Sequence, residues 1–188
     1  MNKKSAIILV AITTLAIIFV VILNPFRTVG GPGHYFMSFD EAASLIGSNG
    51  TYNVTGPIAG TSTLMDIFGG KGWEPASLVN NVTYAWEITY FINKHKSIES
   101  ELFENVFQAI NAQKAKYIYC VYGGCQPYNV TNATYAGVTY SYSLEGNSSV
   151  HGIFFVAYKG NYVVQLQLSS NQLINVTSIA AIIAGDLS

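Results

Sequence analysis

Residues 6–23 (AIILVAITTLAIIFVVIL) are 18 consecutive positions without a charge, and only Thr13 and Thr14 are polar. At about 1.5 Å rise per residue, such a helix just crosses a hydrocarbon core about 30 Å thick. Lys3 and Lys4 precede the run and Arg27 alone follows it closely. The positive-inside rule therefore predicts a cytoplasmic N-terminus, with everything beyond residue 24 outside. A cleaved signal peptide is the rival reading, but the run ends VVILNPF, with large residues where a small-x-small site belongs. A prepilin-type leader, cut near Lys4 and Ser5, is a third.

Residues 28–37 read as a linker with a Gly/Pro hinge (VGGPG), and 38–188 as one exported domain. Ser38, Phe39, Asp40 and Glu41 match the S-x-x-E capping box, which predicts a helix over 39–46 closed by Gly47. Phe39, Ala42, Ala43 and Ile46 share one face of it. Residues 51–58 read as a strand and 60–77, rich in Gly and Pro, as a loop. Val82, Tyr84, Trp86, Ile88, Tyr90 and Ile92 alternate with Thr83, Ala85, Glu87 and Thr89, the period of a strand with one buried face.

Ser97 is expected to cap a second helix reaching about Lys116. Ile98, Leu102, Phe103, Val106, Phe107 and Ile110 recur along it at helical spacing. Glu99, Glu101 and Glu104 lie early and Lys114 and Lys116 late, as the helix dipole favours. That helix is expected to be the solvated back of the domain. Strands follow over 117–122, 135–144, 151–158 and 162–168, the last two joined by Lys159, Gly160 and Asn161. Residues 175–187 close the chain as an apolar helix. Helices separated by runs of hairpin strands predict an α+β domain, an antiparallel sheet with helices packed on it, behind a single N-terminal transmembrane helix.

Composition changes this picture in one respect. Half of the 188 residues are hydrophobic, only 10% are charged, and the formal net charge is -1. No clustered basic face exists to neutralise phosphates, so nucleic acid is excluded as a partner. The triplet N-x-S/T occurs at Asn49, Asn53, Asn81, Asn129, Asn132, Asn147 and Asn175, where 15 Asn and 29 Ser+Thr would place roughly two by chance. All seven lie beyond the apolar run and are candidate glycosylation sites, which requires export. Dense sequons, abundant Tyr and scarce charge resemble the composition of cell-surface proteins of acid-loving archaea.

The opening FMSFDEAASLIG, the block VTYAWEITYFI…SIESELFENVFQAINAQ and the ending GVTYSYSLE…IFFVAYKGNYVVQLQL…VTSIAAIIAGDL together carry a second resemblance. Over residues 36–187, they resemble the extracellular sensor domains of PknH-type receptor kinases and the related LpqN/PsbP-like lipoprotein domains. The resemblance implies a domain held outside the membrane, with a cleft on one side of a sheet that binds ligands. It assigns no binding residue, because no position-specific motif is shared. The single cysteine pair departs from the two-disulfide arrangement of the kinase sensors, and signalling inside the cell is expected to need a partner.

Candidate chemistry is sparse. Cys120 and Cys125 flank a Gly-Gly turn, which outside the cell reads as a disulfide closing a small ring. A redox pair prefers C-x-x-C at a helix start, and a metal site would need His or carboxylate partners close by. His34, His95 and His151 stand alone, and no G-x-S-x-G elbow is present. Gly69, Gly70, Lys71 and Gly72 lack the spacing of a phosphate loop. No catalytic residue, metal or cofactor is therefore expected. Nine of 13 Tyr fall between residues 117 and 162, so a tyrosine-lined sheet face is one candidate binding surface. The expected function is that of a non-catalytic, membrane-anchored surface glycoprotein. It contacts lipid through residues 6–23, and its domain binds a ligand or an envelope protein, as an accessory subunit of a membrane complex. The alternative is a pilin-like filament subunit.

Overall fold

The computed structural model describes residues 35–58, 80–94, 97–125, 130–146 and 150–188. The apolar run 6–23, most of the linker and the 60–77 loop lie outside them. Among the described residues no helix is long and apolar enough to cross a membrane. The described chain runs α1 (Phe39–Ile46), β1 (Thr51–Ile58), β2 (Val82–Lys94), β3 (Ser97–Ala109), α2 (Ala112–Tyr119), a wide helical turn (Cys120–Gly124), β4 (Thr131–Tyr135), β5 (Val138–Gly146), β6 (His151–Lys159), β7 (Tyr162–Ser170) and α3 (Val176–Asp186). The seven strands form one antiparallel sheet in the order β1-β2-β3-β7-β6-β5-β4, so the architecture is α+β as expected.

The terminal helices form where the sequence predicts them. Ser38 Oγ accepts from the Glu41 N–H at 3.3 Å, and Glu41 Oε2 accepts from the Ser38 N–H at 2.7 Å. Asn175 Oδ1 accepts from the N–H groups of Thr177 and Ser178, starting α3. The β6–β7 connection is a two-residue turn whose Gly160 has φ +59°.

Three predicted elements are corrected. The helix expected from Ser97 to Lys116 is instead β3 followed by α2. In β3, Leu102 lies between Tyr90 and Leu168, and Val106 between Trp86 and Val164; Phe107 points the other way, between Ala85 and Val163. Both faces carry apolar residues, so the period of two is blurred, and Glu, Leu, Gln and Ala lend the segment helical propensity. Two flanking strands overrule that propensity. The strand expected over 117–122 is the end of α2 and the turn after it. Asn111 Oδ1 accepts from the Lys114 N–H at 2.9 Å and starts the helix, and Ala115, Ile118 and Tyr119 are buried. The strand expected over 135–144 is split by Ala136 (φ +47°) and Gly137 (φ +80°), which make the tight turn between β4 and β5.

The sheet separates two cores. On one face α1, α3 and the incoming residues 35–37 pack over Ile88, Tyr90, Leu102, Val106, Phe155 and Leu166, all fully buried. On the other face α2 packs over Ala85, Phe107, Val156 and Val163. Among the described residues one helix of eight residues, about 12 Å long, lies on that face and covers only part of it.

A hollow on the uncovered half of the second face

The register of β3, β7, β6 and β5 lays out the second face in rows. Under α2 lie Phe107 and Val163. The next row is Asn105, Gln165, Val156 and Ser141. Beyond it come Phe103, Gln167, Phe154 and Ser143, and then Glu101, Ser169, Gly152 and Glu145. No described element covers the last two rows. They line a hollow of about 550 Å³, closed at one end by Gly146 and Val150 of the β5–β6 hairpin.

Phe103 is 41% exposed although β3 is a central strand with partners on both sides. A large aromatic in that position would normally be covered. Gly152 leaves the floor low between the two outer carboxylates, and a methyl group added there would meet nothing closer than 3.5 Å. Among the described residues Glu101 and Glu145 have no hydrogen-bond or ion-pair partner, and no basic side chain lines the hollow. One row inward, Asn105 Nδ2 donates to Gln165 Oε1 at 3.0 Å, leaving Asn105 Oδ1 buried without a partner among the described residues.

The opposite face treats its carboxyls differently. Glu104, fully buried, accepts from the Met37 N–H through Oε2 at 2.8 Å, and its Oε1 has no partner among the described residues. Burial above all, then the nearby charges of Asp186 and Glu41, push its pKa up to about 8 against the pull of the Met37 hydrogen bond. Asp186, at the end of α3, is pushed up to about 7 by burial and then by Glu41. Tyr52 donates to the Met37 carbonyl at 2.7 Å, and its hydroxyl is raised above the ordinary phenol value by burial.

The residues singled out from sequence are scattered around this arrangement. Cys120 and Cys125 form a disulfide, Cα to Cα 4.6 Å, that closes the turn after α2. Ser141 Oγ braces the same turn, in contact with Tyr119 Oη and Asn132 Oδ1 and donating to the Gly124 carbonyl at 3.0 Å. Asn49 and Asn53 are exposed before and within edge strand β1; Asn132 is exposed on edge strand β4; Asn175 is exposed at the α3 cap. Asn81 is half-buried, its carbonyl accepting from the Ile110 N–H at 3.0 Å. Asn129, Asn147, His34, His95 and the Gly69–Gly72 segment lie outside the described residues. His151 begins β6.

The tyrosines do not gather on one face. Tyr140 stacks on Phe155 at 5.0 Å in the first core, whereas Tyr119 lies 4.8 Å from Tyr158 beneath α2. None lines the hollow. Sequence reasoning missed the hollow because it put both residues in a helix, Phe103 on its apolar stripe and Glu101 among its early acidic residues. The alternation Glu101, Phe103, Asn105, Phe107 was the signal available.

No family model and no curated protein matches the sequence. Among solved structures the chain is similar to the extracellular domain of PknH from Mycobacterium tuberculosis, at 13% identity and a TM-score of 0.51, over 86% of this chain and 98% of that one. An uncharacterised protein from Mycobacterium smegmatis aligns at 8% identity and a TM-score of 0.34, over 80% and 97% of the two chains. The described domain therefore shares its fold with the extracellular domain of PknH.

Proposed function

We propose that this chain is a non-catalytic, single-pass cell-surface glycoprotein whose exported domain binds a ligand in the hollow of the second face. Residues 6–23 hold it to the membrane, and it works beside a partner protein of the membrane or envelope. The observation that carries the reading is Phe103, a large aromatic left 41% exposed at the centre of a sheet, inside a hollow of about 550 Å³. The fold shared with a domain that is extracellular in PknH supports export. The seven sequons beyond the apolar run support it independently.

The test is a ligand-observed NMR screen on the full-length chain in mild detergent, repeated with Phe103→Ser and Gly152→Val. Compounds that bind the wild type should weaken at least tenfold in both variants. Equal binding in all three chains would place the site elsewhere, and turnover of a bound compound would make the protein an enzyme. The same extract reports on assembly: a defined complex with other chains supports the accessory-subunit reading, and a homopolymer replaces it with a filament subunit.

A further inference from the structure

We infer that the hollow takes an elongated dication, a linear diammonium compound with an apolar spacer, an inference that rests on the hollow being the ligand site. The argument begins with pairing in the sheet. Glu101 and Phe103 stand two residues apart on β3, on the same face. Glu145 on β5 is diagonal to Phe154 on β6, because it stands opposite Gly152 while Phe154 stands opposite Ser143. The hollow thus holds two stations, each with one carboxylate and one phenyl ring. A desolvated ammonium is favoured by such a station twice, through the carboxylate and through the electron-rich ring face.

The stations are set apart by the sheet itself. Phe103 and Phe154 both stand opposite Gln167, one on each side of β7. Two strand spacings of about 4.8 Å put them roughly 10 Å apart. Between the carboxylates the outer row offers only Ser169 and Gly152, small enough to leave room for a methylene chain across the floor. No lining side chain among the described residues carries positive charge, so the two carboxylates set the sign of the hollow, which disfavours anions and favours cations. 1,8-Diaminooctane, with terminal nitrogens roughly 11 Å apart when extended and only methylenes between them, spans the stations; ethylenediamine reaches one.

The experiment is isothermal titration of the full-length chain in mild detergent at neutral pH and low salt, with 1,8-diaminooctane, ethylenediamine and 1-octanol as probes. 1,8-Diaminooctane should bind at one saturable site, at least tenfold tighter than ethylenediamine. Binding should weaken at least tenfold in Glu101→Gln and in Glu145→Gln, two changes at partly or fully solvated positions that leave the cores untouched. Binding of 1,8-diaminooctane unchanged by both variants, or matched by ethylenediamine, would overturn the inference. Should 1-octanol bind and be lost in Phe103→Ser while 1,8-diaminooctane does not bind, the hollow stands as a ligand site and only the dication falls. If no probe responds to Phe103→Ser or Gly152→Val, the hollow is not a site and both readings fall together.

Discussion

Glu101 and Glu104 stand three residues apart on β3, and the sheet sends them to opposite environments. Glu104 lies fully buried under α1, with the Met37 N–H for company and a proton it keeps to about pH 8. Glu101 stands at the rim of the hollow, where solvent stabilises its charge. Phe154 and Phe155, neighbours on β6, repeat the contrast: Phe155 is fully buried against Tyr140, whereas Phe154 lines the hollow. One face of the sheet is a closed core in which even carboxyls are held neutral. The other is half closed by a short helix and leaves charge and aromatic surface accessible. The difference comes from coverage, since the same strands supply both faces.

The largest effect expected from this contrast is a pH dependence of stability opposite to that of most proteins. Glu104 has an ordinary value of 4.5 and a folded value of about 8, so the folded state holds its proton more tightly than the unfolded chain. Below about pH 4.5 both states are protonated and the stabilisation is complete. As pH rises from there to about 8 the unfolded chain alone ionises, and stability falls by on the order of 5 kcal/mol before levelling off. Asp186 acts in the same direction up to about pH 7, less strongly because it is partly solvated. Urea denaturation between pH 4 and 9 should show the fall, and Glu104→Gln, which keeps an acceptor for the Met37 N–H, should remove most of it. A slope unchanged in that variant would break the comparison at its first point.

Next in size is Phe155→Ala, which opens a cavity in the closed core and should cost about 3–5 kcal/mol in the same assay. The smallest effect sharpens the contrast most. Phe103→Ala removes a side chain of similar size from the open half and should change stability by about 1 kcal/mol or less. A loss as large as that of Phe155→Ala would show that the open half is structural core.

Elements with local signals were legible in the sequence. The Ser38–Glu41 capping box, the Asn175 cap and the Gly160 turn each specify their conformation within a few residues, and α1, α3 and the β6–β7 hairpin form there. The strand β3 was not legible, because its identity depends on β2 and β7 on either side. Its buried Glu104 also reads as a solvent-facing residue until the environment is known. The segment around residues 117–122 is rich in Tyr, Ile and Val, which favour strands, and only the Asn111 cap argues for a helix. The hollow was least legible of all: Glu101, Phe103, Glu145, Gly152 and Phe154 come from three strands and meet only through register.

The clamp on Met37 has a mechanical meaning. Its N–H is held by Glu104 at the middle of the sheet, its carbonyl by Tyr52 of an edge strand, and its side chain is fully buried. A pull on the chain from its N-terminal side reaches this residue before it reaches α1. The load then passes sideways into β3, while the helix is spared. Deprotonation strengthens the Glu104 grip on the Met37 N–H, but it leaves a charge buried in the sheet, and that buried charge is what should lower the tension at which the domain yields as the surroundings turn alkaline.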